Sequence, residues 1–482
     1  MNTGIPNAKV AEDTQRSQRS FRKNPLRLLR ILRVLCVPVL VVGCSFAPKY
    51  DRPAPPVPNE FPYPAATAGT PAANLPWQQF FGDERLRSLI ALALANNRDL
   101  RIAVLNIDQA RGQYDVRRAD LFPTLGATVT RVPGSGSAAS VWTAGIGTSA
   151  WEVDLFGRVR NSSDAALSQF FATEEGRKAA QISLVASVAS TWLSLVADDE
   201  LLAITRETLA GREESLRLTR LRFENGVTSE VDFRLAESLA ESARATLAQL
   251  TRQRALDIDA LALLVGQPVP AQFQTPTGTA SVSLPDLPAG TPSEVLVKRP
   301  DVLQAEHLLV AANANIGAAR AGYFPHIALT AGLGKASTEL SGLFKAGGWA
   351  WAVAPAIAQT IFDWGRISGN VAAATAARDI AIAQYERAIQ SAFREVADAL
   401  AGRATFGDQL AAQSRVAEAE AVRYRLAKLR YDNGVASYLD LLDAQRSLFT
   451  AQQALVQTRL AQLQAQVQLY RSLGGGWGDN GT

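Results

Sequence analysis

Arg222-Phe-Glu-Asn-Gly-Val-Thr-Ser-Glu-Val-Asp-Phe-Arg-Leu-Ala236 returns as Arg430-Tyr-Asp-Asn-Gly-Val-Ala-Ser-Tyr-Leu-Asp-Leu-Leu-Asp-Ala444, with seven residue types identical in register at an offset of 208 residues. The same offset carries Phe156-Gly157-Arg158 onto Trp364-Gly365-Arg366, and Leu121-Phe-Pro123 maps onto Tyr323-Phe-Pro325 at an offset of 202. The chain is a tandem duplication in which one connection changed length. In each copy Asn-Gly (Asn225-Gly226, Asn433-Gly434) lies between long proline-free stretches whose apolar residues recur at helical spacing. Glycine enters the left-handed region without a Cβ penalty, so each Asn-Gly ends one helix and lets the next run back antiparallel.

Working outward, no proline occurs between Arg158 and Glu224, where Val188, Leu195, Leu202, Leu209, Leu216 and Phe223 recur every seven residues. Ala189, Val196, Ala203 and Ala210 form an adjacent small row. A seven-residue repeat keeps one seam facing a neighbouring helix as the two wind round each other. The second copy has Ile382, Ile389 and Val396 beside Tyr385, Ala392 and Ala399, and beyond its turn Leu442, Phe449, Val456, Leu463 and Tyr470. At a rise of 1.5 Å per residue each 67-residue helix spans about 100 Å.

The segments Pro123–Val132, Val141–Phe156, Pro325–Gly334 and Gly348–Trp364 carry β-branched and aromatic residues around Gly/Ser-rich links. They read as two hairpins, one per repeat. A soluble β-subdomain and a membrane barrel both fit that alternation, because membrane strands give weak signals. Four strands close no barrel, and open edges are not tolerated in lipid, whereas three copies supply twelve strands.

At the N-terminus Arg22, Lys23, Arg27, Arg30 and Arg33 precede the apolar run Val34–Val42 and then Gly43-Cys44-Ser45, which reads as a secretory leader too short to span a bilayer. Removing the eight basic and two acidic residues of 1–43 from totals of 49 and 45 leaves 41 basic against 43 acidic, so the +4 net charge belongs to the leader. Overall basicity therefore gives no ground for a nucleic-acid partner. Cys36 leaves with the leader and Cys44 is then the one cysteine, which excludes an intrachain disulfide or a thiolate metal site. His307 and His326 are too few for a histidine-rich centre and read as structural. The proline-rich stretch after Cys44 reads as an extended tether.

With these features assembled, the mature chain resembles the TolC-like outer membrane factors, in their lipoprotein branch of OprM and NodT type. The resemblance rests on Trp151–Arg158, both helical turns, Asn433–Arg446 and Leu473-Gly-Gly-Gly-Trp477, and Val41-Val42-Gly43-Cys44 resembles a lipobox. It implies a mixed α/β membrane protein: a homotrimer whose twelve-stranded outer-membrane β-barrel, four strands per chain, continues into a long periplasmic α-helical coiled-coil barrel. It implies shorter helices at Arg85–Ala119 and Ser293–Gly322 that pair up to match the long ones. It also implies a passive exit duct of tripartite efflux, working with a periplasmic adaptor and an inner-membrane pump of RND type, in contact with outer-membrane lipid. A type I protein secretion duct and a non-channel coiled-coil lipoprotein are the alternatives. In the resemblance Cys44 carries covalent lipid, while Asp232, Leu439, Asp440 and Asp443 occupy gate positions. Asn225, Gly226, Asn433 and Gly434 form the tips that meet the adaptor. Leu235 stands where a counterpart of Asp443 would be, and Ala436 where some relatives carry a tip-locking Arg.

The domain expectation is a signal peptide over 1–43, a lipidated tether over 44–76, a first repeat over 77–270, a linker over 271–292, a second repeat over 293–473 and a tail over 474–482. No P-loop, nucleophile constellation or metal set is legible, so neither enzyme activity nor a cofactor is expected. Converging carboxylates at a pore axis are expected to titrate above the ordinary Asp value. The competing reading of the same acids is helix-start residues favoured by the helix dipole.

Overall fold

The structure, a computed structural model, describes residues 45–63, 71–133, 139–270, 278–289, 296–345 and 347–477. The leader, Cys44, residues 271–277 and 290–292 of the expected linker and the end of the tail lie outside the described residues. In chain order the elements are α1 (Glu84–Asn96), α2 (Arg98–Ala119), β1 (Gly126–Val132), β2 (Val141–Glu152), α3 (Arg158–Glu224), α4 (Glu230–Val265), α5 (Pro300–Ala321), β3 (His326–Ser337), β4 (Trp349–Ala358), α6 (Arg366–Asp432) and α7 (Tyr438–Ser472). The two long helices α3 and α6 are each 67 residues, as the proline-free stretches predict.

Two short-helix expectations change. Arg85–Ala119 is not one helix, because Asn97 takes extended backbone angles, ends α1, and accepts the Leu100 amide to cap α2. In the second, a turn at 297–299 precedes α5, which begins at Pro300 because proline's fixed φ and missing N–H suit a first helical position; Ser293, the expected start, lies outside the described residues.

The chain divides into two compact units, one of residues 1–50, 113–167 and 310–378, the other of 51–112, 168–309 and 379–482. The first holds a single antiparallel sheet of order β1-β2-β3-β4, so the two expected hairpins join along β2 and β3. Register sorts the side chains cleanly, since alternate residues point to opposite faces. One face carries Val129, Ile146, Leu333, Trp349, Trp351, Val353 and Ile357, all exposed. The other is mostly Gly, Ala and Thr, including every second residue of β4 from Ala350 to Ala358, with Val132 and Val141 at one end and Glu152 and His326 at the other. On that face Gly145 opposes Gly334 and Gly147 opposes Gly332. A Cβ on Gly145 would lie 2.9 Å from the Leu333 carbonyl oxygen, so these glycines permit an approach of β2 and β3 that side chains would block.

The same unit fixes the start of the expected tether. Phe46 stacks on Phe324 at 4.3 Å, Ser45 donates to Asn161, and Asn313 donates to the Pro48 carbonyl at 2.7 Å. In the second unit Arg52 forms a two-pronged ion pair with Glu306, and Phe61 stacks on Phe393. Residues 45–63 are therefore a strap bound to the body, not a free tether. Proline keeps the segment extended, and its interspersed Phe and Arg anchor it.

The core of the second unit follows the seven-residue rows. Leu442, Phe449, Val456, Leu463 and Tyr470 are all buried, and Val456 packs against Ala197 and Leu201. Tyr470 stacks on Phe80 at 4.0 Å and donates to the Leu75 carbonyl. On α3 the small row behaves differently from expectation: Ala189 and Val196 are buried, but Ala203 and Ala210 are exposed. The buried row there is polar, Asp198, Thr205, Arg212 and Thr219, again at seven-residue spacing. Thr205 and Thr219 donate to carbonyls four residues back, which satisfies their hydroxyls inside the seam.

Candidate gate and helical turns

The repeated turns share one geometry. Gly226 and Gly434 have φ of 71° and 73°, the left-handed conformation that favours glycine. In the first turn the Gly226 amide donates to Phe223 and the Val227 amide to Arg222; in the second, Gly434 donates to Tyr431 and Val435 to Arg430. This paired closure is the Schellman motif, which supplies partners to carbonyls a helix end would leave orphaned. Asn225 and Asn433 each donate a side-chain amide to the carbonyl four residues back at 2.7 Å.

Two of the four gate candidates are held by the helix starts. The Ser229 hydroxyl caps α4 by accepting the Asp232 amide, and Asp232 accepts from the hydroxyls of Ser229 and Thr228 at 2.8 and 2.9 Å. Ser437 and Asp440 complete a capping box on α7, in which the Ser437 amide donates back to Asp440 at 3.1 Å. Helix initiation alone accounts for both carboxylates. Asp443 is different. It lies one turn further on, bridged by Arg423 from α6 and by Arg446 at 2.8 Å, and Arg423 also reaches Glu420. Its counterpart in the first repeat is Leu235, so the ion pair belongs to the second turn alone. Leu439 is 61% exposed, beside exposed Val435, and its counterpart Val231 is exposed as well.

The expected upward titration belongs to carboxylates of several copies converging at an axis; within one chain, Asp443 and Asp232 already have donors beside them. The Arg423 guanidinium beside Asp443 holds its carboxyl below the ordinary Asp value, and the Ser229 hydroxyl does the same for Asp232. Local donors oppose the repulsion on which the expectation rested.

The residues that link the two turns were not singled out from the sequence. Ser215 on α3 hydrogen-bonds the Tyr438 hydroxyl at 2.6 Å, Arg222 donates to the Tyr431 hydroxyl, and Tyr431 and Tyr438 pack ring to ring at 5.5 Å. Above them Arg212, 4% exposed, donates to the Leu239 carbonyl on α4 at 3.0 Å and lies 5.3 Å over the Phe449 ring on α7. Burial lowers its guanidinium pKa from the ordinary value. The one available signal was the aromatic-for-charged exchange at Glu230 and Tyr438, equivalent positions in the two repeats.

Helical hairpins turned by repeated Schellman motifs and a four-stranded sheet with one bulky apolar face make a protein of duplicated design. A family profile described as outer membrane efflux protein matches residues 89–267 and 291–475, and the chain belongs to that family. It is 45% identical over 450 residues to the probable efflux pump outer membrane protein TtgC of Pseudomonas putida, covering 90% of this chain and 93% of that one. It is 42% identical to the outer membrane protein OprJ of Pseudomonas aeruginosa, covering 92% and 95% of the two chains. Among solved structures, the open state of the MtrE outer membrane channel of Neisseria gonorrhoeae matches with a TM-score of 0.84 at 40% identity, covering 90% of this chain and 99% of that one.

Proposed function

We propose that this protein is the passive exit duct of a tripartite efflux assembly, carrying small molecules from a periplasmic adaptor and an RND-type inner-membrane pump to the cell exterior. The observation that carries the reading is the sheet. One face is bulky and mostly apolar, the other is mostly Gly, Ala and Thr, and β1 and β4 end the sheet with edges unpaired within the chain. Unpaired backbone groups cost several kcal/mol each in lipid, so the edges must meet other copies. A homotrimer closes twelve strands, with the apolar face toward lipid and the small-residue face lining the passage. A barrel of that size leaves an interior wide enough for solutes.

The relatives agree in kind: TtgC and OprJ are named as efflux-pump and outer-membrane proteins, and MtrE as an outer membrane channel. The turns at Asn225-Gly226 and Asn433-Gly434 present exposed Val227 and Val435 to the adaptor, and Leu439 with Asp232, Asp440 and Asp443 forms the constriction. Cys44 becomes the acylated N-terminus; two or more chains anchor it stably. Sedimentation in detergent is expected to give three copies per particle. A stable monomer that conducts ions would overturn the closure argument. Mass spectrometry of the mature protein checks Cys44, and an unmodified N-terminus elsewhere refutes its anchoring role.

A further inference from the structure

Each repeat contains an end-to-end helix joint, and the two joints are built from equivalent positions with different chemistry. In the first, the Asn97 side chain at the start of α2 donates to the Leu264 carbonyl at the end of α4 at 2.9 Å. In the second, Arg299 before α5 donates to the Ser472 carbonyl at the end of α7 at 2.8 Å. Asn97 and Arg299 correspond at the 202 offset, and Leu264 and Ser472 at 208. Left-handed Gly266 and Gly474 follow the two helix ends at φ of 78° and 79°.

The second joint neutralises its own charge. Buried Arg299 is paired with Asp301 at 2.6 Å and with Glu395 at 2.9 Å. It borders a cleft of about 230 Å³ whose lining sets Arg299 and Arg471 beside Asp301 and Glu395. The first joint opens into a cleft of about 450 Å³ lined by Asn96, Asn97, Arg98, Leu100, Arg101, Arg177 and Gln181. No carboxylate is among its lining residues. Among the described residues Arg98 and Arg101 have no ion pair, and Arg177 donates only to Gln181 at 3.2 Å. Arg98 and Arg101 are three residues apart on α2 and so share a face. Their counterparts in the second repeat are Pro300 and Leu303, and that of Arg177 is Tyr385, which is fully buried. Three cations thus stand where the duplicate has none, round a space with no compensating charge.

We propose that this cleft is an anion-binding site for a small multivalent oxyanion bearing carboxylate or phosphate groups. Guanidinium forks bind such groups in pairs of parallel hydrogen bonds, which a lone ammonium does not reproduce. The buried Gln181, whose amide also donates to the Gly476 carbonyl at 3.3 Å, fixes the wall that carries Arg177. The site is independent of the gate and of the duct reading.

The test is calorimetric titration of the full-length protein in detergent at low ionic strength, with citrate in one arm and inorganic triphosphate in the other. Saturable binding is expected in at least one arm, weakened roughly tenfold or more in Arg98→Ala/Arg101→Ala and by added salt. The arm that binds more tightly identifies carboxylate or phosphate as the preferred group. Both arginines are exposed, so the variant should melt with the wild type. Arg111→Ala/Arg118→Ala removes two exposed arginines of the same helix outside the cleft and should bind as wild type does. Absence of saturable binding, or equal binding by both double variants, overturns the proposal. So does a wild type that binds nothing while Arg98→Ala/Arg101→Ala loses its oligomer, since the cleft would then be filled by a neighbouring copy.

Discussion

The two repeats use one backbone plan and two electrostatic plans. At the turns, Asp232 and Asp440 play the same capping part, yet only the second turn adds the Arg423–Asp443–Arg446 bridge, where the first has Leu235. At the joints the order reverses. The second encloses a neutralised Arg299, and the first leaves Arg98, Arg101 and Arg177 around open space. Backbone geometry is fixed by glycines and helix ends that recur in both copies. Charge is placed by side chains free to diverge, and it is in charge that each repeat acquires its own task.

The largest test of this contrast is at the joints. Arg299→Ala leaves Glu395 and the Ser472 carbonyl without their buried donor and is expected to cost about 3–5 kcal/mol. Asn97→Ala removes one neutral hydrogen bond and a cap, and is expected to cost about 1–2 kcal/mol. Chemical denaturation of the two variants measures the difference. Equal losses would mean the joints are energetically alike and the ion pairs around Arg299 incidental.

A second test concerns Asp198 in the polar row of α3, whose counterpart on α6 is the uncharged Phe406. Asp198 is 7% exposed, and its Oδ2 has no hydrogen-bond partner. Burial first, then the facing Asp257 carboxyl, pushes its pKa up to about 7, while Asp199 beside it is engaged by Arg254. Because the folded pKa is raised, folding takes up a proton between the ordinary Asp value and about 7. The penalty therefore builds as pH rises through that window and is complete above it. Asp198→Asn should raise stability by on the order of 2 kcal/mol at pH 8, with the gain fading toward pH 4. Melting curves across pH check it, and a gain independent of pH would exclude titration as the cause.

Much of this architecture was legible because it rests on periodicity and backbone punctuation. The 67-residue helices, the Asn-Gly turns and the buried row Leu442 to Tyr470 follow from proline absence, glycine placement and seven-residue spacing. The break at Asn97 was missed because asparagine serves equally as a helix interior residue and as a cap, and only its link to Leu264 selects the cap. The strap is legible only as an extended tether, because proline content reports extension but says nothing of what Phe46, Arg52 and Phe61 touch. At the gate, the carboxylates stood out in sequence, while their partners did not. Arg423 lies twenty residues from Asp443, and Arg222 lies 209 from Tyr431, pairings that only the packing of helices distant in sequence brings about.

The smallest expected effect lies at the turns. Asp443 is held below the ordinary Asp value chiefly by Arg423, so it stays ionised as pH falls toward that value, and the pairing is lost only as pH drops through the depressed pKa. Arg423→Ala should move the Asp443 titration upward, read by carbon-detected NMR of labelled Asp, with stability changed by less than about 1 kcal/mol because exposed pairs contribute little. An unchanged Asp443 titration would show that Arg446 alone suffices.

The central claim is that copies of this chain enclose a passage narrowed where Leu439, Asp440 and Asp443 converge. Single-channel recording in planar bilayers tests it most directly, comparing wild type, Asp440→Ala/Asp443→Ala and Leu439→Ala with a divalent cation added from the periplasmic side. The account predicts discrete ion currents, cation block in wild type that is lost in the double variant, and higher resting conductance in Leu439→Ala. Absence of current would leave a coiled-coil stalk rather than a duct, and identical currents and block in all three proteins would locate the constriction elsewhere.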